Sequence, residues 1–433
     1  MDADVVVIGA GAAGLAASRR LARSGRRVVL LEARDRVGGR AFSLPIEGLP
    51  VRAELGAEFI HGPAEETRAL LRETASAAID ISAESWRRQN GELSPDDEGF
   101  LEWAALFDRA RLLAQDESVD SFLKRFEANE TTRRAAGGAR AFVEGFEAAD
   151  PSIASVTSIA AEWASGVDST SARPLFGYEP IVARLQSDCA AAGVEIALRT
   201  VVRTIVWRRG GVRVEAVRSD GTARIVEAAA VIVTLPAGVL RREADETGIK
   251  FEPELPPDKL TALRHIEMGH VVKVVLWFRT PFWEQIDGGR YRDAAFFRSE
   301  GAFPAFWTQL PVRSRIVAAW VGGPKAVALQ AFSEAELIER ARDQFGELLG
   351  ASAVARAEFE GAATHDWSAD PFSCGAYSYV AVGGGEARAT LGAPLEQTLI
   401  FAGEATSTDG QGGTVNGAIE TGERAAAGVT ATG

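Results

Sequence analysis

Gly9-Ala10-Gly11-Ala12-Ala13-Gly14 lies between an apolar run, Val5 to Ile8, and a helical pattern over Leu15 to Leu21; Glu32 closes the next apolar run, Val28 to Leu31. Strand, turn, helix, strand and acid in that order form a unit that holds a dinucleotide. The first glycine permits the tight turn, the second lets backbone N–H groups approach a pyrophosphate, and the third lets the helix pack closely on the strand. The helix N-terminus behind the turn offers partial positive charge to the phosphates. Glu32 is placed to accept hydrogen bonds from a ribose 2′- and 3′-OH, and its charge repels a 2′-phosphate, which argues against NADP.

Ala33 and Arg34 lead into a second glycine-basic turn, Gly38-Gly39-Arg40, where Arg40 can meet a phosphate. Lys273 stands alone among Val271, Val272, Val274 and Val275. By pattern alone it belongs to the exposed face of a strand, since burying an ammonium is costly. His61, His265, His270 and His365 show no spacing for a metal, so no metal site is expected. Nothing resembles a nucleophile elbow. With only Cys189 and Cys374 there is no disulfide framework, and a reducing cytoplasm is the expected location.

These residues need elements to position them. At 433 residues the chain exceeds what one core of roughly 250–300 residues supports, so two domains are expected. Gly25 reads as the end of the first helix. Residues 64–78 and 101–148 carry helical spacing, separated by the polar stretch Gln89 to Gly99, and read as a mainly helical insertion. Pro180 to Ala192 reads as a helix and Glu195 to Leu198 as a strand. Val201 to Trp207, Gly211 to Val217, Ala223 to Glu227 and Val231 to Thr234, joined by glycine turns, predict a small antiparallel sheet. Val271 to Phe278, Ala294 to Arg298, Ala305 to Gln309 and Arg315 to Val321 predict a second sheet, with Phe359 to Trp367 as a further strand. Ser333 with Glu336 predicts a capped helix to Leu349. Leu399 to Ala402 reads as a strand and Thr414 to Ala427 as a closing helix. A formal charge of −13 argues against nucleic acid or an anionic membrane as partner. Met1 to Ile8 runs straight into the first strand, so no signal peptide is expected, and no apolar run is long enough to span a bilayer.

The sequence resembles the flavin-containing amine oxidases, the family of monoamine oxidases, polyamine oxidases and flavin histone demethylases. The matching stretches run in the family's order: Asp4 to Gly14, Leu31 to Arg40, Gly56-Ala-Glu-Phe-Ile-His-Gly62, Val231 to Leu240, Met268 to Lys273, Trp367 with Ser373 to Tyr377, Phe401 to Thr406, and Gly413 to Ala418. The resemblance implies an α/β fold: a discontinuous Rossmann-like FAD-binding domain over 1–78, 190–265 and 365–433. Into it is inserted an α+β substrate-binding domain over 79–189 and 266–364, with an antiparallel sheet and a helical part.

By the same resemblance Gly9, Gly11 and Gly14 meet the pyrophosphate, Glu32 the adenosine ribose, Arg40 a phosphate, and the Val202 backbone the adenine. Gly56, Ala57, Glu58 and Phe59 lie beside the isoalloxazine, Glu58 through its backbone or as a carboxylate for a remote ammonium. Gly403 and Glu404 hold the ribitol end. Gly413, Thr414, Val415 and Ala418 belong to the closing helix, where the N–H groups of Thr414 and Val415 come near flavin O2. Lys273 matches the family lysine that holds a water against flavin N5, which reverses its blind reading. Tyr377 matches one wall of the aromatic cage, and Thr414 stands where monoamine oxidases carry the second. Trp367 lines the pocket near the flavin, whereas its pattern alone suggests a core residue. His61 is a polar contact for substrate or water, or a loop histidine that supports its turn. Ala376 stands where monoamine oxidases carry a flavin-linking cysteine, so FAD is expected without a covalent bond.

The implied reaction takes a small-molecule amine as its free base, passes hydride to the flavin, and hydrolyses the imine to an aldehyde or ketone plus ammonia or amine, with O2 reduced to H2O2. An L-amino-acid oxidase or monooxygenase is the nearest alternative. It needs an arginine to clamp the carboxylate, for which Arg298 and Arg315 are candidates. A flavoprotein interaction scaffold is a third reading. Oligomeric state, a homo-oligomer included, stays open.

Overall fold

The computed structural model describes residues 1–81, 84–89, 91–96, 100–166, 171–242 and 248–431. Of the polar break read over Gln89 to Gly99, residues 90 and 97–99 lie outside them.

Short apolar runs build a parallel sheet. Five parallel strands stand in the order Glu195–Ala197, Val28–Leu31, Val5–Ile8, Ala230–Val233, Leu399–Phe401. The three central ones are buried at every position, as strands covered on both faces must be. Helices Ala12–Arg23 and Val415–Ala431 cover one face, and Leu15, Leu21, Ile419 and Ala426 join Val5 and Val7 in its core. They pack closely because of Gly422, where a Cβ would lie 2.2 Å from the Ala13 carbonyl oxygen. Gly25 follows the first helix with φ +83°, as its position past the last periodic residue predicts.

On the other face packs a sheet ordered Ala223–Ala228, Gly211–Arg218, Thr200–Arg208, Lys250–Glu252. Its first three strands are antiparallel as expected, and the short fourth runs parallel to its neighbour. The expected fourth strand, Val231 to Thr234, is a correction. Ala230–Val233 leaves this sheet and becomes a central strand of the parallel one, pairing Val231 with Val6 and with Leu399. Its unbroken apolar run suits burial on both faces, and sequence adjacency to the hairpins misleads.

The second half is a seven-stranded sheet ordered Phe359–Thr364, Val271–Phe278, Ile316–Gly322, Ala305–Thr308, Ala294–Arg298, Glu84–Gln89, Glu92–Pro95. The last two strands correct the helical reading of the insertion. They form a polar hairpin at the sheet edge, with Trp86 as its buried anchor and Arg87, Arg88 and Gln89 hiding the strand signal. Helix Glu334–Leu348 carries the predicted capping box of Ser333 and Glu336, and buries Leu337, Ala341 and Phe345 against this sheet. Helices Phe100–Ala110, Val119–Glu127, Glu130–Gly145 and Val156–Ala164 make a separate helical core. The strand Ile266–Met268 pairs with Ser378–Val380, so the segment before Lys273 is tied to the segment after Tyr377.

Candidate active site

A cavity of about 1000 Å³ begins at the C-terminal ends of the parallel strands, where Ile8 and Leu31 line it, and extends to Lys273, Tyr377 and the aromatic strands of the second sheet. All the residues expected in the site line this cavity except Gly14. Gly14 is a packing residue: a Cβ there would sit 1.8 Å from the Gly9 carbonyl oxygen. Gly9 adopts φ +98°, which side chains rarely tolerate, and Thr234 fixes the turn by donating to the carbonyls of Ile8 (2.8 Å) and Gly9 (3.0 Å).

The Glu32 carboxylate is aimed by two backbone donors, Ala10 N–H at 2.7 Å and Arg34 N–H at 2.8 Å. The Arg34 guanidinium is turned to Asp370 in a bidentate pair at 2.6 and 2.8 Å, so Arg34 contributes to the site mainly through its backbone. Arg40 Nη1 donates to Glu404 Oε1 (2.9 Å) and to the Ala376 carbonyl (2.8 Å). Glu404 Oε2 in turn accepts from Ser378 Oγ (2.6 Å) and Gly413 N–H (3.1 Å). Burial opposes ionisation of Glu404, but Arg40 and Arg388 outweigh it and hold the carboxyl below its ordinary range.

Thr414 is the N-cap of the closing helix: its Oγ1 accepts from Gly417 N–H at 3.0 Å. Its own N–H is engaged by the Gln411 carbonyl at 3.3 Å. Val415 and Ala418 line the wall beyond it, so the first turn presents its positive end to the cavity.

At the far end Lys273 is not on an exposed strand face, as its pattern alone predicts. The side chain is buried, and Nζ donates to Glu58 Oε2 at 2.6 Å and to the Gly56 carbonyl at 3.2 Å. Its cross-strand partner is Trp320, and the Trp307 ring lies 5.5 Å from Nζ. The Glu58 side chain faces inward to this cation and to Arg173, so it is not displayed for a remote ammonium. Burial would raise the Glu58 pKa; Lys273 and Arg173 overcome it and hold it at about 2. Gly56 allows a close crossing, for a Cβ there would lie 1.8 Å from the Arg40 carbonyl oxygen. Trp367 is both core and wall: it is buried, its Nε1 donates to the Leu55 carbonyl at 2.9 Å, and it lines the cavity.

Tyr377 donates its hydroxyl to the Phe146 carbonyl at 2.5 Å, and burial pushes its phenol well up, so it stays neutral. His61 packs edge-on against Phe146 with centroids 4.8 Å apart, and burial lowers it to about 4. Trp307, Trp320, Phe146 and Glu147 also line this end and were not expected there. Three of these four are aromatic, but only strand register and the helical insertion bring them to the end of the cavity that holds Lys273 and Tyr377.

A glycine turn, an aimed acid at a strand end and two helix N-termini on one elongated cavity fit a dinucleotide cofactor. A profile described as "Flavin containing amine oxidoreductase" matches residues 12–430. The chain belongs to this family. The chain is 30% identical to a lysine-specific histone demethylase 1 homolog 3 of Arabidopsis thaliana, over 98% of this chain but 29% of the relative. It is 28% identical to polyamine oxidase 4 of Oryza sativa subsp. japonica, over 98% of this chain and 87% of the relative. In fold it is similar to a triple mutant of putrescine oxidase (TM-score 0.82, 23% identity, 100% and 99% of the two chains covered). It is equally similar in fold to cyclohexylamine oxidase from Brevibacterium oxydans IH-35A (TM-score 0.82, 18% identity, 100% and 99% covered). Among the described residues no helix is long and apolar enough to cross a membrane, and no cluster of His, Cys, Asp or Glu is arranged for a metal ion.

Proposed function

We propose that the protein is an FAD-dependent oxidase of small-molecule amines acting in the cytoplasm, with oxygen as electron acceptor. The observation that carries this reading is one continuous cavity joining a dinucleotide turn to a buried lysine and a tyrosine-bearing aromatic chamber. When bound, FAD supplies the two-electron acceptor for a hydride from the amine α-carbon and returns the electrons to O2 as H2O2.

Glu32 would accept the ribose hydroxyls, and the first turns of the helices at Ala12 and Val415 would face the negatively charged parts of the cofactor. Arg40 pairs with Glu404, and Glu404 accepts from Gly413 N–H, which ties the turn after Leu399–Phe401 to the approach of the closing helix. Lys273, held by Glu58 and the Gly56 carbonyl, would keep a water beside the reacting atoms. Tyr377, neutral and pinned to Phe146, would present its ring to the free-base amine. His61 is uncharged near neutral pH and serves as wall rather than as a cation. Trp307, Trp320 and Phe146 exclude bulk water and orient the substrate. Ammonium lacks the lone pair that supports hydride loss, so turnover should rise with pH through the bound amine's pKa.

The absence of a covalent FAD bond is supported at Ala376, which lines the cavity without a nucleophile. The nearby Cys374 thiol instead donates to the Pro371 carbonyl at 3.5 Å. For the carboxylate-binding alternative, Arg298 lines the cavity with its Nε 3.3 Å from Asp96, which Arg87 also holds. Arg315 is bonded to the Phe278 carbonyl and Glu360.

The deciding experiment is anaerobic bleaching of the yellow holoenzyme by spermine, spermidine, putrescine, benzylamine, cyclohexylamine and L-amino acids, followed by air. Bleaching by an amine with peroxide on reoxidation is the expected result. Bleaching by amino acids alone, or by none of these compounds, would sink the amine oxidase reading.

A further inference from the structure

We infer that Glu58 is a positioning residue that acts on the redox centre through Lys273: its carboxylate fixes the lysine ammonium in place and balances its charge. This rests on the FAD-dependent reading above. The geometry divides the carboxylate in two. Oε2 accepts from Lys273 Nζ at 2.6 Å, while Oε1 takes Arg173 Nη2 at 3.0 Å, Trp307 Nε1 at 3.0 Å and Gln309 Nε2 at 3.2 Å. Arg173 is itself anchored by the carbonyls of Leu310 (2.8 Å) and Thr308 (3.2 Å). One oxygen is therefore clamped by three donors gathered along the segment Trp307 to Leu310, which leaves the other oriented at the lysine.

Lysine has a long flexible stem, and a buried ammonium without a counter-charge is strongly disfavoured. The second contact of Nζ, the Gly56 carbonyl at 3.2 Å, belongs to the segment that crosses the cavity wall beside Trp367. Moving the ammonium therefore disturbs the wall where the isoalloxazine is expected. Glu58→Gln keeps the shape but leaves Lys273 and Arg173 as two buried cations on a neutral amide. Glu58→Asp keeps the charge on a shorter stem.

The test compares wild type, Glu58→Gln, Glu58→Asp, Lys273→Met and the double variant Glu58→Gln/Lys273→Met. For each, the midpoint potential of bound FAD, the rate at which photoreduced flavin reacts with oxygen, and thermal unfolding of the FAD-free chain are measured. Glu58→Gln should shift the potential and slow reoxidation about tenfold, the size of coupling that contacting charged groups reach. Glu58→Asp should recover most of that loss. In the Lys273→Met background, adding Glu58→Gln should change neither quantity, and the double variant should melt above Glu58→Gln alone because one uncompensated cation is gone. Independent, multiplying effects of the two substitutions would overturn the proposal. So would an unchanged potential and reoxidation rate in Glu58→Gln. Should Glu58→Gln not fold, Glu58→Asp and Lys273→Met decide by whether they move the potential in the same direction. Photoreduction needs no amine, so failure of every amine to bleach the wild type would refute the oxidase reading while leaving this coupling measurable.

Discussion

Glu54 and Glu58 are both buried and four positions apart, yet they are driven in opposite directions. Burial raises Glu54 from 4.5 to about 8, with Ser43 as its hydroxyl donor at 2.8 Å, whereas two cations hold Glu58 at about 2. Between pH 4.5 and about 8 the folded chain keeps a proton on Glu54 that the unfolded chain releases, so this residue makes stability fall as pH rises, by at most ~1.4 kcal/mol per pH unit. Glu54→Gln should remove that slope, and melting temperatures measured from acid to mildly alkaline pH should flatten. An unchanged slope would show that Glu54 does not titrate there. Glu58 has the reverse sign: its contribution is present above pH 4.5 and is lost as pH falls towards 2.

At the scale of elements, two helix N-termini converge on one cavity, and each depends on a small residue. Gly14→Ala places a methyl against the Gly9 carbonyl, a backbone clash that must open the first turn. Overpacking of this kind costs about 1–3 kcal/mol, so FAD affinity, followed by flavin fluorescence on titration, should weaken about tenfold or more. Unaltered affinity would mean that the turn can relax without cost. Thr414→Ala removes the cap on Gly417 N–H. It should cost about 1 kcal/mol of stability, read by chemical denaturation, with little change in the spectrum of bound flavin. Much of this level was legible in advance. Both helices and the glycine turn follow from local periodicity and from the residues a turn or cap requires. The polar hairpin Glu84–Gln89 with Glu92–Pro95 was not, since only pairing with Ala294–Arg298 makes its charged sequence a strand.

For the whole molecule, one cavity joins segments from the beginning, middle and end of the chain, because Gly9, Val202, Lys273 and Val415 all line it. A ligand held by distant segments stabilises the folded chain by mass action, about 2.7 kcal/mol at a free concentration one hundred times Kd. The melting temperature should therefore climb with added FAD. Unfolding in guanidinium followed by ultrafiltration should pass all the yellow colour, and colour retained with the chain would reveal a covalent bond.

The sequence by itself determined the glycine turn between Val5–Ile8 and Ala12–Arg23, the capped helix at Ser333, most strands and the family, because turns, caps and apolar periods are written in neighbouring residues. Only the tertiary structure decided the place of Ala230–Val233 in the parallel sheet and the partner that lets Lys273 face inward. A buried lysine is tolerable only with a counter-charge. That counter-charge, Glu58, lies far away in sequence and is itself held by Arg173, Trp307 and Gln309 from other parts of the fold. Local pattern carries no record of such a pairing, and long-range packing supplies it.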